Sequence, residues 1–272
     1  MDTESRYREI LLRTFRAFSD LCGENGLRWW LAFWSAIGAV RHGGMIPWDD
    51  DIDVFMPRED YEKFLALQLP GYEIVEIRKD ARDLPFAYGK FCDASTTLIE
   101  QRRYNVVTGV FIDIFPLDDA GPQTEAVRTA YRSAFTNYVR SFRGHFAAEW
   151  LKDLGHGKFR DCAVALQDLI WLRPRRKSIK AQFLSIYKKA ASQSGSGAYA
   201  VWCTNSEYKG ITFPKEWFAT TVMHPFEDMS VPLPGGNHEL LTLLFGDYMT
   251  PPPESERNSG HLRYYLNLDK RI

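Results

Sequence analysis

The chain has 272 residues, of which 45% are hydrophobic, and a formal net charge of −1. This composition is typical of a globular protein with a substantial core, and the balanced charge argues against nonspecific nucleic-acid binding. Its four cysteines, Cys22, Cys92, Cys162 and Cys203, form no Cys-x-x-Cys pair, so we expect reduced thiols and no zinc finger. The acidic, amphipathic start is unlike a signal peptide, and no apolar run is long enough to cross a bilayer. We therefore expect a cytoplasmic protein without a transmembrane span.

The first part of the chain predicts helices that alternate with strands. Apolar residues at steps of four, three and four predict an amphipathic helix over residues 11–22. The dense apolar run at residues 27–33 predicts a short buried strand. Ser35 is then placed to cap a short helix that ends at Gly43, and Pro57 ends the next strand and begins another helix.

The rest of the chain changes character after about residue 119. Further strands are predicted at residues 72–77, 87–92, 96–101 and 106–115. Residues 124–193 are helical and basic, and a helix at residues 239–245 precedes a proline-rich tail. We therefore predict an α/β (α+β) fold. Its mixed sheet core occupies residues 1–120, a helical insertion residues 121–195, and a C-terminal segment that closes over the core residues 196–272.

Four carboxylates stand within five residues at the start of an apolar strand: Asp49, Asp50, Asp51 and Asp53. Side chains alternate along a strand, so Asp51 and Asp53 lie on one side while their apolar neighbours point into the core. Carboxylates so close repel one another unless a cation joins them. The pattern favours a hard cation, most plausibly Mg²⁺ together with a substrate phosphate, and Asp113 in a later apolar strand offers a third ligand.

Other interpretations of this acidic cluster are weaker. An EF-hand loop would need Gly where Val54 stands and Glu where Asp60 stands. In an Asp-x-Asp glycosyltransferase the apolar strand would precede the carboxylates, whereas here it follows them. A solvated acidic turn does not explain why Asp51 and Asp53 are spaced for one face, and Asp113 could instead be a paired structural acid.

The surroundings indicate metal-assisted phosphoryl transfer. The predicted helix start at Ser35 offers free backbone N–H groups to a phosphate. In this arrangement Asp51 and Asp53 hold the metal, and Asp113 completes the coordination or takes the proton of an attacking hydroxyl.

Three segments carry a resemblance to a known family. Residues 34–61 read WSAIGAVRHGGMIPWDDDIDVFMPREDY and closely resemble the signature of the LicD family. The segments FIDIFPLD at residues 111–118 and FGDYM at residues 245–249 reinforce the resemblance. It implies a nucleotidyltransferase-like fold. It also implies transfer of a phospho-alcohol, typically phosphocholine from CDP-choline, to a sugar hydroxyl of a surface glycan, with release of CMP. Fukutin-type relatives transfer ribitol phosphate from CDP-ribitol.

The resemblance also assigns roles to single residues. Asp51, Asp53 and Asp113 match the metal-binding acids, for Mg²⁺ or Mn²⁺. The family usually has Gly where this chain has Trp34, next to the retained Ser35, and a glycine there lets a phosphate approach the backbone. The indole could therefore reshape the donor site.

Basic and aromatic residues near the acids are candidates for substrate binding. Arg41 and Lys90 match basic family positions and could clamp a diphosphate, although surface ion pairs are the alternative. His42 could bond a phosphate, or be a structural histidine. Trp48 is the best candidate for an aromatic cage around choline, whereas the tryptophans at residues 29–30 are expected to pack in the core.

We therefore predict a donor of the CDP-alcohol class, with CDP-choline favoured, and a glycan or lipid-linked saccharide as acceptor. Lipopolysaccharide and teichoic acid are the expected kinds of acceptor, with peripheral contact at the inner face of a membrane. The basic residues 173–177 could steer such an acceptor, or form a solvated charged surface. Two alternatives stay open: nucleotidyl transfer with release of pyrophosphate, and a catalytically silent protein that binds a nucleotide or glycan.

Overall fold

The computed structural model describes residues 2–80, 82–101, 104, 106–122, 124–142, 159–203, 212–261 and 263–272. Its helices are α1 Thr3–Glu24, α2 Phe33–His42, α3 Arg58–Phe64, α4 Thr124–Arg140, α5 Phe159–Trp171, α6 Arg176–Ala191 and α7 Asn237–Phe245. Its strands are β1 Trp30–Leu31, β2 Asp53–Pro57, β3 Tyr72–Val75, β4 Gly89–Asp93, β5 Thr97–Ile99, β6 Phe111–Asp119, β7 Ala198–Ala200, β8 Thr212–Pro214, β9 Thr221–Phe226, β10 Met229–Pro234 and β11 Tyr265–Asn267. Within these ranges, every helix is too short or too polar to span a bilayer.

A mixed sheet forms the centre of the molecule. Its strands follow the order β1-β2-β6-β4-β3, and β7 pairs with the end of β6 and with β8. Strands β2 and β6 are parallel, whereas β4 is antiparallel to β6. The hairpin β9–β10 and the pair β5–β11 form two small separate sheets. The predicted α/β class is confirmed.

Both faces of the central sheet are buried, because successive residues of β2 and β6 enter different cores. Val54 and Ile114 belong to a core that includes α1, whereas Phe55 and Phe115 belong to a second core that includes α4 and α6. The odd-numbered residues of β2 and β6, which include Asp53, therefore face the side that α4 and α6 cover. Since the helical middle shares a core with the sheet, it packs on it directly. The predicted boundaries between the three segments stay predictions.

The start of α2 differs from the prediction. The helix begins at Phe33 after Ala32, and Ser35 does not cap it, because the Ser35 hydroxyl bonds to the backbone of Asp53 instead. The end of α2 is as predicted, since Gly43 adopts a left-handed φ of 67°.

The two predicted strands that carry the acids begin later than expected. The strand predicted at residues 106–115 begins only at Phe111, because Thr108 pairs with Leu98 instead of joining the central sheet. The strand after the acidic turn begins at Asp53, so Asp51 lies in the turn just before it.

Candidate active site

The strand register brings the predicted acids together. Asp53 of β2 is paired with Asp113 of β6 in the parallel ladder, and Asp113 is paired with Lys90 of β4 on its other side. Paired residues point to the same face of a sheet. Asp51 precedes β2 by two residues, and one ligand oxygen from each of Asp51, Asp53 and Asp113 lies within 4.8 Å of the others. These are the three acids that the sequence singles out.

Burial and mutual repulsion make these carboxylates resist ionisation. Burial raises the pKa of Asp113 to about 7, although Lys90 opposes the shift. Burial, followed by the charges of Asp51 and Asp113, raises the pKa of Asp53 well above its ordinary value. A divalent cation would relieve this repulsion, and an all-oxygen ligand set is the one that Mg²⁺ or Mn²⁺ prefers. The residues present therefore fit a hard metal ion.

Lys90 is fully buried and serves the acids directly. Its Nζ donates to Asp113 Oδ1 at 2.8 Å, lies 3.4 Å from Glu100 Oε2, and stands 3.2 Å from the centroid of the Phe111 ring. This cation lowers the pKa of Asp113 and fixes its orientation. The predicted contact of Lys90 with a diphosphate stays a prediction, and the structure gives the ammonium a partner in Asp113.

The start of α2 supports strand β2, which carries Asp53. The Ser35 hydroxyl accepts the backbone N–H of Asp53 at 2.9 Å, which ties the helix to the first residue of β2. Just before it, Phe33 has a φ of 45°, and packing against Phe55 and Phe115 holds it in this uncommon left-handed conformation. The binding of a phosphate by Ser35 stays a prediction.

Two guanidinium groups flank Trp48. The Arg257 guanidinium carbon lies 5.0 Å and that of Arg41 6.0 Å from the centroid of the indole, and the His42 ring meets it edge-on at 6.0 Å. Arg41 Nη1 donates to the carbonyl of Tyr248 at 2.6 Å. Burial and the charge of Arg257 lower the pKa of Arg41. An indole that already contacts two cations is better suited to an anion held between the arginines than to choline.

The C-terminal segment reaches the acids that precede β2. His261 Nδ1 lies 2.7 Å from Asp50 Oδ1, and its Nε2 lies 3.5 Å from Asp51 Oδ2. Arg263 Nε stands 3.3 Å from Asp50 Oδ2. The hydrogen bond to Asp50 raises the pKa of His261 to about 9. Asp49, Asp50 and His261 form a second group whose ligand atoms lie within 4.8 Å of one another.

Sequence reasoning missed Arg257, His261 and Arg263. They lie about two hundred residues from the acidic turn and belong to no motif with a recognisable spacing. The only sequence signal is their concentration in a proline-rich tail that was expected to close the site. The expectation for the adjacent tryptophans is confirmed: Trp29 is buried against Phe15, and Trp30 is also buried.

A comparison with protein families identifies the family to which this chain belongs. Residues 26–166 match the family model described as LicD/FKTN/FKRP, nucleotidyltransferase domain. The match covers just over half of the chain, including all three acids, and the chain belongs to the LicD family.

The chain is also similar to individual proteins. It is 23% identical to the lipopolysaccharide cholinephosphotransferase LicD of Haemophilus influenzae, over 93% of this chain and 94% of that protein. An uncharacterised protein of Rickettsia prowazekii is 30% identical over 35% of this chain and 29% of its own length. An uncharacterised protein of Rickettsia typhi is 32% identical over 27% of this chain and 23% of its own length.

Proposed function

We propose that this protein is a metal-dependent transferase that moves a phospho-alcohol group from a CDP-activated donor to a sugar hydroxyl of a glycan, with release of CMP. Phosphocholine is the favoured group, because the Haemophilus influenzae relative that matches nearly the whole chain is named for its transfer to lipopolysaccharide. The observation that carries the proposal is the convergence of Asp51, Asp53 and Asp113 on one point beside the start of β2.

The residues of the site have different roles in this proposal. Asp51, Asp53 and Asp113 would hold Mg²⁺ or Mn²⁺, which when bound neutralises charge on the donor diphosphate. Lys90 favours the ionised form of Asp113 and orients its carboxylate through their 2.8 Å contact. Ser35 fixes the backbone from which Asp53 projects.

The donor would lie between the acids and Trp48, the residue that directly precedes the acidic turn. The Arg41 guanidinium donates hydrogen bonds to the Tyr248 carbonyl and to His42 Nδ1, and it forms no ion pair within the described ranges. Its charge is therefore available to a donor phosphate, and Arg257 on the same indole supplies a second charge. Two arginines that hold an anion between them orient it for attack in line with the leaving CMP.

The test is to incubate the full-length protein and Mg²⁺ with CDP-choline or CTP, together with a glycan acceptor, and to follow the released product. Release of CMP from CDP-choline supports the proposal, and release of pyrophosphate from CTP would replace it with nucleotidyl transfer. Asp53→Asn should abolish turnover without altering the circular dichroism spectrum. Asp20→Asn, at an exposed position on α1, is the matched control and should retain full activity.

The acceptor is proposed to be a glycan carried on a lipid and modified at the cytoplasmic face of the membrane. Parallel assays with CDP-ribitol and CDP-glycerol would identify the transferred alcohol. Absence of metal-dependent turnover with every donor, in a folded protein, would favour a silent binding protein of the same fold.

A further inference from the structure

Helix α5 is attached to the rest of the molecule through a polar contact. Asp168 is fully buried on its inner side and pairs with Arg140 of α4, with 2.6 Å between Arg140 Nη2 and Asp168 Oδ1 and 3.2 Å between Nε and Oδ2. This two-pronged arginine–carboxylate contact fixes which side of the helix faces inward. The opposite side of α5 must therefore face outward.

The outward side of α5 is apolar. Phe159, Ala163, Leu166 and Ile170 follow one another at steps of four, three and four, the spacing that places residues on one helix face. Phe159 is 68% exposed, Leu166 47% and Ile170 56%, and Trp171 at the end of the helix is 58% exposed. We call these four residues with Ala163 the α5 apolar face. An ordinary surface helix turns its apolar side to the core, whereas α5 also presents this apolar face to the outside.

Positive charge accompanies this face. Residues 159–192 contain eight lysines or arginines and two aspartates, although the whole chain has a net charge of −1. Arg160, Arg173, Arg175 and Lys177 are exposed, and none of them pairs with a carboxylate in the part of the chain that the structure describes. The guanidinium carbon of Arg175 lies 5.5 Å from the centroid of the Trp171 ring.

We propose that the α5 apolar face and the basic residues Arg173, Arg175 and Lys177 form a docking surface for a membrane that contains anionic phospholipid. A helix that presents aromatic and aliphatic side chains, with arginine and lysine at its border, inserts the apolar side chains among acyl chains while the cations meet the headgroups. Trp171 beside Arg175 has the amphipathic character of side chains at a membrane interface.

The charge pattern favours a membrane over a second copy of the chain. A two-fold contact is self-complementary, so it would bring the same apolar face and the same basic residues of two copies against each other. The unpaired arginines would then repel. An anionic lipid surface satisfies the apolar and the cationic parts together. This docking needs neither the metal nor the transferase chemistry.

The test is co-sedimentation of the full chain with sucrose-loaded vesicles made of phosphatidylcholine with or without phosphatidylglycerol. We expect binding to the anionic vesicles that is at least about tenfold stronger than to pure phosphatidylcholine and that weakens as NaCl is raised. Ile170→Glu should reduce the partition coefficient about tenfold, and the double variant Arg173→Glu with Lys177→Glu by about tenfold or more.

Matched controls carry the same substitutions elsewhere. Met223→Glu changes an exposed apolar residue of β9, and Lys270→Glu changes an exposed lysine near the C-terminus; both should bind vesicles within about twofold of the unaltered protein. Unchanged melting temperatures would show that all variants fold. Equal binding of Ile170→Glu and the unaltered protein, or no binding of the latter to anionic vesicles, would overturn the proposal.

Light scattering tests whether a second copy of the chain, instead of a membrane, covers the α5 apolar face. A dimer that Ile170→Glu dissociates would show that the face is a subunit contact, and the lipid proposal would be wrong. Failure of the transferase proposal would appear as loss of CMP release while vesicle binding persists, so the two proposals fail in distinguishable ways.

Discussion

The ion pair between Arg58 and Asp118 gives the sharpest prediction for stability. Arg58 Nε lies 2.6 Å from Asp118 Oδ1, and Nη2 lies 3.0 Å from Oδ2. Both residues follow directly on the last pair of the β2–β6 ladder, Pro57 with Leu117. The pair therefore secures the register that sets Asp53 and Asp113 side by side. We consider Asp118→Asn, which removes the charge and preserves the volume.

The magnitude follows from burial. The Asp118 side chain is 1% exposed and that of Arg58 16%, so water cannot replace the lost carboxylate. Removing one partner of a buried ion pair is strongly destabilising, and an arginine cannot lose its proton to escape the loss. The guanidinium keeps only the partly exposed carboxylate of Glu62, which lies 2.9 Å from Arg58 Nη1. One amide oxygen still accepts a hydrogen bond, so we expect a loss of about 3 kcal/mol in the free energy of unfolding. For a chain of this size that corresponds to a melting temperature lower by roughly 6–12 °C.

The assay is urea and thermal unfolding followed by circular dichroism. The matched control is Asp119→Asn at the next residue, whose carboxylate pairs with Lys215 near the surface, where both side chains are about one-third exposed. That variant should lose less than about 1 kcal/mol. If Asp118→Asn unfolds within about 1 kcal/mol of the unaltered protein, the buried pair does not secure the sheet and the reasoning fails.

Three further predictions concern the surroundings of the acids. Gly38→Ala should lower the free energy of unfolding in urea by about 1–3 kcal/mol, because the added Cβ would lie 2.4 Å from the carbonyl oxygen of Gly44. The control Gly23→Ala, whose Cβ would have no atom within 4 Å, should leave this free energy unchanged. The pKa of His261 is about 9 in the folded protein and 6.5 ordinarily, so the protonated side chain stabilises the fold. In the metal-free protein this stabilisation should be complete below about pH 6.5 and should be lost as the pH rises through 9. The side chain is half exposed, so the stability difference from His261→Gln should reach only about 1 kcal/mol at low pH and vanish above pH 9; a pH-independent difference would contradict this. Arg257→Gln should raise the KM for the CDP-alcohol about tenfold with little change in kcat, and an unchanged KM would remove Arg257 from the donor site.

The sequence was sufficient to predict the acids, for a reason that lies in strand geometry. The two-residue spacing of an extended chain predicts Asp51 and Asp53 on one side, although Asp51 itself precedes β2. A lone Asp113 in an apolar strand needs a charged partner. The family signature joined the two segments. What the pattern could not show is register: only the parallel pairing of β2 with β6 sets Asp53 directly beside Asp113.

Contacts between residues that are far apart along the chain could not be predicted from the sequence. Lys90 was recognised as a basic residue near the site, but its burial against Asp113 depends on a third strand. His261 reaches the acidic turn only because the tail folds back over it. Ser35 has the residue type of a helix cap, yet the nearby backbone of Asp53 competes for its hydroxyl. In each case tertiary contact decided between partners that local sequence leaves equivalent.

The exposed side of α5 shows that a periodic pattern can predict a helix without predicting which side faces the core. Its apolar spacing predicts a helix correctly, but the usual assumption would turn that side inward. The buried pair of Asp168 with Arg140 marks the side that faces inward, and apolar spacing alone does not distinguish it from the exposed side.

The most direct test of the central claim is calorimetric titration of the metal-free protein with Mn²⁺ and Mg²⁺. We expect a saturable site whose affinity falls at least about a hundredfold in Asp53→Asn and in Asp113→Asn, since each removes one of three carboxylate ligands. Asp20→Asn should bind as the unaltered protein does. Equal affinity in the unaltered protein and in Asp53→Asn would contradict the claim that these acids hold the metal.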